Sequence, residues 1–276
     1  MSSERAGVEI FKGFKFKYPE YEVITPQGMK SYTIRSMKVS DEQNLKGSMI
    51  TPSKIARHLA ECIWNCLVKK PEDIKTFDDF ISKTTMKDRD ALLYGLYVAT
   101  YKDIQGYTIT CDDCGFSNKV KIDVSKWFSA KTWLERGENF TPVLDYRPEA
   151  KLNIFDSVRF ILKSPTIKDE INIAESNAFA SDELNQLKMT LSMVDCVKID
   201  PSKENPAGET YHEMDNIVSI YKSIPAPDRK VIVNTYDKEF GEYQIDVHGK
   251  MKCTKCLKEK DVNIDITAQF FRALYE

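Results

Sequence analysis

The chain has 276 residues, of which 40 are lysine or arginine and 42 are aspartate or glutamate, so its formal net charge is only −2. This balance excludes a strong overall field that would attract nucleic acid or an anionic membrane. The length allows one large domain or two smaller ones with a real core. The first twenty residues lack the apolar run of a signal peptide, and no window resembles a membrane span. We therefore expect a soluble intracellular protein.

The first half of the chain is predicted to begin with short strands and to continue as helices. Alternating apolar residues at 8–11 and 32–35 are typical of strands, and residues 26–28 separate them as a turn. Thr51 and Pro52 predict the start of a helix, with Thr51 as N-cap and Pro52 in the first turn. Further helices are expected after Pro71 and from Asp88, the predicted N-cap of the last helix in this half.

The second half of the chain is predicted to repeat this order. Residues 151–172 have the apolar clustering of strands, and Ser181 is predicted to cap a helix that directs Leu184 and Leu191 inward. A shorter helix is expected around Met214. Residues 225–229 are predicted to start another helix, as Asp88 does in the first half. Residues 200–211 form the longest predicted loop.

Two cysteine pairs, Cys111 with Cys114 and Cys253 with Cys256, begin two copies of one short pattern that lie 142 positions apart. The matches that follow each pair without a gap are Val120 with Val262, Ile122 with Ile264, Asp123 with Asp265, Val124 with Ile266 and Phe128 with Phe270. The alternation after each pair predicts a strand with one buried face.

Four thiols in two C-x₂-C pairs form a typical tetrahedral zinc ligand set. We therefore predict that Cys111, Cys114, Cys253 and Cys256 hold a structural zinc ion. Four thiolates leave no open coordination position, so the ion is not arranged to activate water. The alternative is a redox C-x-x-C motif, which is expected at the N-terminus of a helix. The residues after each pair are turn-like and then strand-like, which favours zinc.

The fold class that follows is α+β, with helical regions, short antiparallel strands and a zinc ribbon built from two knuckles that are distant in sequence. Residues 107–128 and 247–271 are predicted to close this shared ribbon. We also expect a tandem duplication, in which residues 1–140 form the first strand–helix–knuckle half and residues 141–276 form the second. The joint is expected near residues 136–152.

Residues suited to catalysis are few. The histidines are His58, His212 and His248. No nucleophile elbow, P-loop or His-Glu-x-x-His motif occurs. Asp123 and Asp265 are equivalent across the repeat, and helix capping is preferred over a catalytic pair of carboxylates. Cys62 and Cys66 are interpreted as small buried side chains rather than a second metal site. We therefore expect neither an enzyme nor a small-molecule substrate.

The surroundings of the two knuckles suggest surfaces for a partner. Aromatic residues that could be core or docking surface are Phe116, Trp127, Phe128, Trp133, Phe270, Phe271 and Tyr275. Lysines near the second knuckle are Lys250, Lys252, Lys255, Lys258 and Lys260, and they support the alternative of a zinc-ribbon nucleic-acid-binding or regulatory protein. Because Asp112 and Asp113 lie in the first knuckle, a solvated face is the preferred interpretation and nucleic acid is not an expected partner.

Segments 32–42, 88–97 and 107–124, together with the second cysteine pair, resemble the baseplate hub assembly protein family of T4-type contractile-tailed bacteriophages. These segments read YTIRSMKVSDE, DRDALLYGLY and YTITCDDCGFSNKVKIDV. The resemblance touches most of the chain. One departure is Leu257, which stands where the first knuckle has Gly115.

The resemblance implies a non-enzymatic morphogenesis factor that binds other hub or baseplate subunits. It also implies assembly in the host cytoplasm and leaves open whether the protein stays in the tail of the finished virion. These implications agree with the composition, which predicts a near-neutral scaffold without catalytic residues.

Overall fold

The computed structural model describes residues 17–48, 52–101, 104–137, 141–155, 157–175, 185–201 and 206–275. Helices alternate with short antiparallel sheets along the chain, which confirms the α+β class. The expected strand at 8–11, the predicted caps Thr51 and Ser181, and Leu184 lie outside the described residues.

The first half begins with a small sheet and ends with the first cysteine hairpin. Its elements are β1 (Glu20–Ile24), β2 (Ser31–Arg35), α1 (Val39–Ser48), α2 (Pro52–Cys66), β3 (Leu67–Lys69), α3 (Phe77–Lys83), α4 (Met86–Tyr101), β4 (Ile104–Thr110), β5 (Ser117–Asp123) and α5 (Val124–Trp127). Strands β1, β2 and β3 pair antiparallel in that order. A short strand, β6 (Phe128–Ala130), and a 3₁₀ turn at Trp133–Arg136 lead out of this half.

The second half also begins with a sheet and ends with a cysteine hairpin. Its elements are β7 (Glu149–Lys151), β8 (Val158–Leu162), α6 (Ile167–Glu175), α7 (Asn185–Ser192), β9 (Val194–Ile199), β10 (Glu209–Tyr211), α8 (Met214–Ser223), α9 (Ala226–Tyr236), a π-helical turn (Asp237–Gly241), β11 (Ile245–Lys252), β12 (Glu259–Asn263) and α10 (Ile266–Tyr275). The sheet is antiparallel in the order β10-β9-β8-β7.

The two halves share one order of elements, as the predicted duplication requires. Sheet β1-β2-β3 has its counterpart in β7-β8-β9, with β10 added at one edge. An ion pair that joins the end of a strand to the following helix is also repeated. Arg35 contacts Asp41 at 2.8 Å in the first half, and Lys163 contacts Asp169 at 2.7 Å in the second. These pairs lie 128 positions apart, so the repeat extends to individual side chains.

A buried aspartate near the start of α4 and of α9 holds the hairpin turn that opens each half. The carboxylate of Asp88 accepts hydrogen bonds from the backbone N–H groups of Gln27 (2.8 Å) and Gly28 (2.9 Å). The carboxylate of Asp228 accepts from the N–H of Asn153 (2.8 Å) and of the two residues that follow it. Burial raises the pKa of Asp88 to about 6 against the opposing effect of its backbone donors.

Buried apolar side chains form two clusters. The first cluster combines the sheet and helices of the first half with β11, β12 and α10, and the second spans residues between Trp133 and Tyr243. Helix α10 packs against α4, and the buried ring of Phe270 lies 6.4 Å from the ring of Tyr101 between centroids. The end of the second half is therefore packed into the core of the first. The boundaries 1–140 and 141–276 stay a prediction.

One predicted strand region is partly wrong. Residues 151–172 were expected to form strands, but α6 begins at Ile167. The Thr166 hydroxyl accepts from the N–H of Asp169 (3.2 Å), and the Asp169 carboxylate accepts from the N–H of Thr166 (2.8 Å). This reciprocal capping box starts a helix and overrides the strand-like composition of the preceding run. Its counterpart α1 (Val39–Ser48) was not predicted, since no element is assigned to residues 40–50 on sequence grounds.

Two further assignments need correction. Asp88 was predicted to cap its helix, but it lies inside α4, and the hydroxyl of Thr85 accepts from the Asp88 N–H at 3.1 Å. The Asp88 carboxylate is occupied by the distant turn instead. Within the predicted loop 200–211, residues 209–211 form a strand because they pair with β9.

We predict that Asp88→Ala lowers the free energy of unfolding by about 2–4 kcal/mol and that Asp228→Ala lowers it by a smaller amount. Each substitution removes the acceptor of at least two backbone N–H groups, at about 1–3 kcal/mol for a buried group. The loss at Asp228 is smaller because residues 153–155 are exposed and water can replace the carboxylate. Urea unfolding followed by circular dichroism measures the change. Asp78→Ala is the control, because the Asp78 side chain is 74% exposed. A loss at Asp88 no larger than that of the control would refute the assignment.

Candidate metal centre

Each cysteine pair lies in the turn between two antiparallel strands. Strands β4 and β5 flank the first pair and pair from Ile104 with Asp123 to Thr110 with Ser117. Strands β11 and β12 flank the second pair in the same way. Turn followed by strand is the local structure that the sequence predicts, and neither pair lies at a helix N-terminus, where a redox motif is expected.

The two turns have the same backbone hydrogen bonds. The N–H of Gly115 donates to the carbonyl of Cys111 at 2.7 Å, and the N–H of Leu257 donates to the carbonyl of Cys253 at 3.0 Å. Two more bonds close the turns, since the N–H of each first cysteine donates to the carbonyl five residues later at 2.9 Å. Each turn thereby directs two sulfur atoms to the same side.

The fold brings the four sulfur atoms of Cys111, Cys114, Cys253 and Cys256 within 4.8 Å of one another. The sulfurs of Cys111 and Cys256 are 3.7 Å apart, and so are those of Cys114 and Cys253. Sulfurs at about 2.3 Å from a tetrahedral zinc ion lie about 3.8 Å from one another. A disulfide would need about 2.05 Å, and all four thiols are free. The four cysteines therefore fit a tetrahedral thiolate site.

The contacts between the knuckles follow a local two-fold relation. The side-chain oxygen of Asn118 accepts from the N–H and the hydroxyl of Thr254, both at 2.9 Å. The ammonium group of Lys260 donates to the carboxylate of Asp112. Lys260 is equivalent to Asn118, and Thr254 is equivalent to Asp112, at the spacing of 142 that relates the cysteines. The knuckles therefore contact each other as two halves of a symmetric pair do.

Asn118 also belongs to the site, although no sequence motif indicates it. The residue is buried, and its amide nitrogen donates to the carbonyl of Phe116 (3.2 Å) and approaches the sulfur of Cys253 at 3.6 Å. One side chain therefore contacts both knuckles. Comparison of the two sequence copies does not reveal Asn118. The equivalent residue, Lys260, contacts the other knuckle through an ion pair with Asp112 rather than through an amide group.

A family comparison identifies the class of protein to which this geometry belongs. A family model described as T4 bacteriophage base plate protein matches residues 18–272. The chain belongs to this family. No curated protein and no solved structure matches it. The chain is thus a structural protein of the phage baseplate, associated with other tail or baseplate components.

The other predicted residues of this baseplate protein take ordinary structural positions. Asp123 and Asp265 cap the following helices, since their carboxylates accept from the N–H groups of Ser125 (3.2 Å) and Ala268 (3.0 Å). The aromatic residues near the knuckles differ in how far they are buried. Trp133 and Phe270 are buried, Trp127, Phe128 and Phe271 are partly buried, and Phe116 and Tyr275 are exposed.

In the described part of the chain, every helix is too short or too polar to traverse a bilayer.

The lysines near the second knuckle face the acidic residues of the first. Lys258 contacts Asp113 at 3.0 Å, and Lys260 forms an ion pair with Asp112. Two of the five lysines near the second knuckle are therefore paired with acidic residues within the ribbon. This pairing agrees with the solvated face preferred on sequence grounds.

The thiol of Cys253 is electrostatically suited to act as a thiolate. Backbone N–H groups of Cys256 and Lys255, with the amide of Asn118, lower the pKa of Cys253 to about 6. Donors that point at a sulfur stabilise its anionic form, which is the form that binds a metal. Cys114 shows the opposite direction: against a backbone donor from Phe116, burial and the neighbouring thiols raise the pKa of Cys114 to about 11.

Leu257 adopts the backbone conformation for which its counterpart is a glycine. Its φ is 61°, and that of Gly115 is 67°. This left-handed region costs a residue with a side chain about 1–2 kcal/mol. The departure seen in the sequence is therefore a strained residue within an otherwise conserved turn geometry.

We predict that Leu257→Gly raises the free energy of unfolding by about 0.5–1 kcal/mol. The removed strain exceeds the additional backbone entropy that glycine loses on folding, which is about 0.5–1 kcal/mol. Gly115→Leu, the reverse change at the equivalent position, is expected to destabilise by about 1–2 kcal/mol. Chemical denaturation of both variants beside the wild type is the measurement, and a destabilised Leu257→Gly variant would contradict the strain argument.

Proposed function

We propose that this chain is a non-enzymatic hub subunit or assembly factor of the phage baseplate, and that a structural zinc ion cross-links its fold. The match to the baseplate family over residues 18–272 carries the first part of the proposal. The four clustered sulfurs carry the second part. Other hub and baseplate proteins are the proposed partners, and the proposed place of assembly is the host cytoplasm.

The proposed zinc ligands are Cys111, Cys114, Cys253 and Cys256. An ion held by four thiolates has no position for water or substrate, so its proposed role is to cross-link the fold. The cross-link would join residues that are 139 to 145 positions apart. Closing a loop of that length removes about 5 kcal/mol of chain entropy from the unfolded state in the entropy model for cross-links.

The proposed zinc cross-link would also hold the halves 1–140 and 141–276 in one fixed arrangement. The ribbon formed by residues 107–128 and 247–271 contains a cysteine pair from each half. Beyond the ribbon, α10 packs on α4 and β6 pairs with β11. A metal at the ribbon would fix these contacts, and a rigid particle component benefits from such a fixed geometry.

We expect native mass spectrometry and elemental analysis of the purified protein to show one zinc ion per chain. Cys111→Ser and Cys253→Ser should each lose the zinc and lower the melting temperature by about 10 °C or more, because metal binding is coupled to folding. Cys196→Ser is the matched control, since Cys196 is buried but lies outside the sulfur cluster.

Two outcomes would contradict the zinc proposal. One is a wild-type protein that keeps its full melting temperature without zinc. The other is a zinc-free protein whose cysteines oxidise in the pairs 111–114 and 253–256, which would support the redox alternative.

The hub role is tested in infected cells. We expect phage in which this gene is disrupted to accumulate baseplate parts without a completed centre, and a plasmid copy of the wild-type gene to restore tails. Electron microscopy of the particles, with a tag on the chain, is the measurement. Complete and functional baseplates in the disrupted phage would reject the hub role. A tag at the baseplate periphery would also reject it while leaving the baseplate family unaffected.

A further inference from the structure

The first half of the chain packs against the second through a patch that we name the junction. On its first-half side, residues 84–86 pair with residues 165–167 of the second half. The N–H of Ile167 donates to the carbonyl of Thr84 at 3.0 Å, and the N–H of Met86 donates to the carbonyl of Pro165 at 2.9 Å. The start of α4 thereby covers the start of α6.

Three further contacts complete the junction. The hydroxyl of Ser164 donates to the side-chain oxygen of Gln27 at 2.6 Å, so the first hairpin turn lies against the second half. Arg89 forms an ion pair with Glu170. Ile167 is fully buried. The junction therefore combines a buried turn, a buried arginine paired with a partly buried glutamate, and a covered apolar residue.

The second half repeats the covering side of the junction, but there it is exposed. Arg229 is the counterpart of Arg89, because each follows the buried aspartate that holds a hairpin turn. Arg229 is exposed, whereas Arg89 is buried. The hairpin turn of the second half presents Ile154 and Phe155, which are 59% and 46% exposed, whereas Gln27 in the first turn is 1% exposed.

The first half repeats the covered side, and it too is exposed. The paired residues Arg35–Asp41 and Lys163–Asp169 fix a spacing of 128, which makes Val39 the counterpart of Ile167 and Glu42 the counterpart of Glu170. Val39 is 70% exposed, whereas Ile167 is fully buried. Glu42 and Glu170 are both partly buried, and Glu42 accepts a hydrogen bond from the Tyr101 hydroxyl at 3.4 Å.

We propose that a second copy of this chain docks head-to-tail on these two surfaces and continues the junction from one chain to the next. The guanidinium of Arg229 in one copy pairs with the carboxylate of Glu42 in the next, as Arg89 pairs with Glu170 within the chain. The exposed turn with Ile154 and Phe155 covers the region of Val39. Charges and apolar residues are thus complementary in kind on the two surfaces.

The two surfaces are different, so the proposed contact is heterologous. A heterologous contact leaves one surface free on each end of a pair, and it continues until a ring closes or a filament forms. Self-association of this chain should therefore extend beyond a dimer as its concentration rises. This property does not depend on the zinc ion or on the hub role proposed above.

Sedimentation velocity of the full chain over a range of concentrations tests the proposal. The weight-average mass of the wild type should rise with concentration beyond two chains. Arg229→Glu and Glu42→Arg should each weaken association about tenfold or more, because each places like charges opposite one another. Lys119→Glu is the matched control, since Lys119 is an exposed lysine on a different element, β5, and the change of charge is identical. It should associate as the wild type does.

A mixture of the two charge variants gives the sharpest result. Arg229→Glu chains carry glutamate at both 229 and 42, and Glu42→Arg chains carry arginine at both. Every contact between unlike chains therefore has opposite charges, so the mixture should associate beyond two chains in alternating order, whereas each variant alone associates weakly. Circular dichroism and melting curves confirm that each variant is folded, so a loss of association is not a loss of structure.

The apolar part of the surface has its own test. Phe155→Asp should abolish association, whereas Leu134→Asp, at a similarly exposed leucine on a different element, should leave it intact. A wild type that stays monomeric at all concentrations overturns the proposal. Association only after removal of residues 1–16 would also overturn it and would identify that segment as the occupant. Association that is unaffected by both charge variants would place the contact elsewhere.

Discussion

The closing of one cysteine turn on the other is the constraint on which the rest of the structure depends. Residues that are 139 and 145 positions apart bring their sulfurs to 3.7 Å. This contact places β11, β12 and α10 beside the helices of the first half, where Phe270 is buried against α4. A buried core made from both ends of the chain therefore has a cluster of four thiols at one end. Such a cluster could hold a metal ion and satisfy its coordination completely.

The duplication has two different consequences in different parts of the molecule. At the ribbon, equivalent residues contact each other reciprocally, so both copies of every surface are used. At the junction, the start of α4 covers the start of α6, whereas Val39 and Arg229, the equivalents of Ile167 and Arg89, are exposed. The junction joins the covering side of the first half to the covered side of the second half. The covered side of the first half and the covering side of the second half therefore have no partner surface of this kind within the chain. A component of a baseplate, which is an assembly of many subunits, has an evident use for such surfaces.

The buried aspartates show how the repeat keeps its geometry with little sequence identity. Asp88 and Asp228 each replace the water that would otherwise solvate the backbone of a tight turn. A carboxylate has two oxygens and can hold successive N–H groups, so it fixes the turn to a helix that follows much later in the chain. The residues of the turn itself are then free to differ. In the first half they are covered by the second half, and in the second half they include Ile154 and Phe155 at the surface.

The sequence by itself determined which four cysteines could share a site, the two turn-and-strand hairpins and the repeated order of elements. Ligand spacing and strand alternation are local properties, and a constant spacing of 142 reveals equivalence without any knowledge of packing. Only the tertiary structure decided that Asn118 bridges the knuckles, that Asp88 holds a distant turn rather than its own helix, and that Val39 is exposed while Ile167 is buried. Each of these depends on a partner far along the chain, and burial is a property of the pair rather than of either residue.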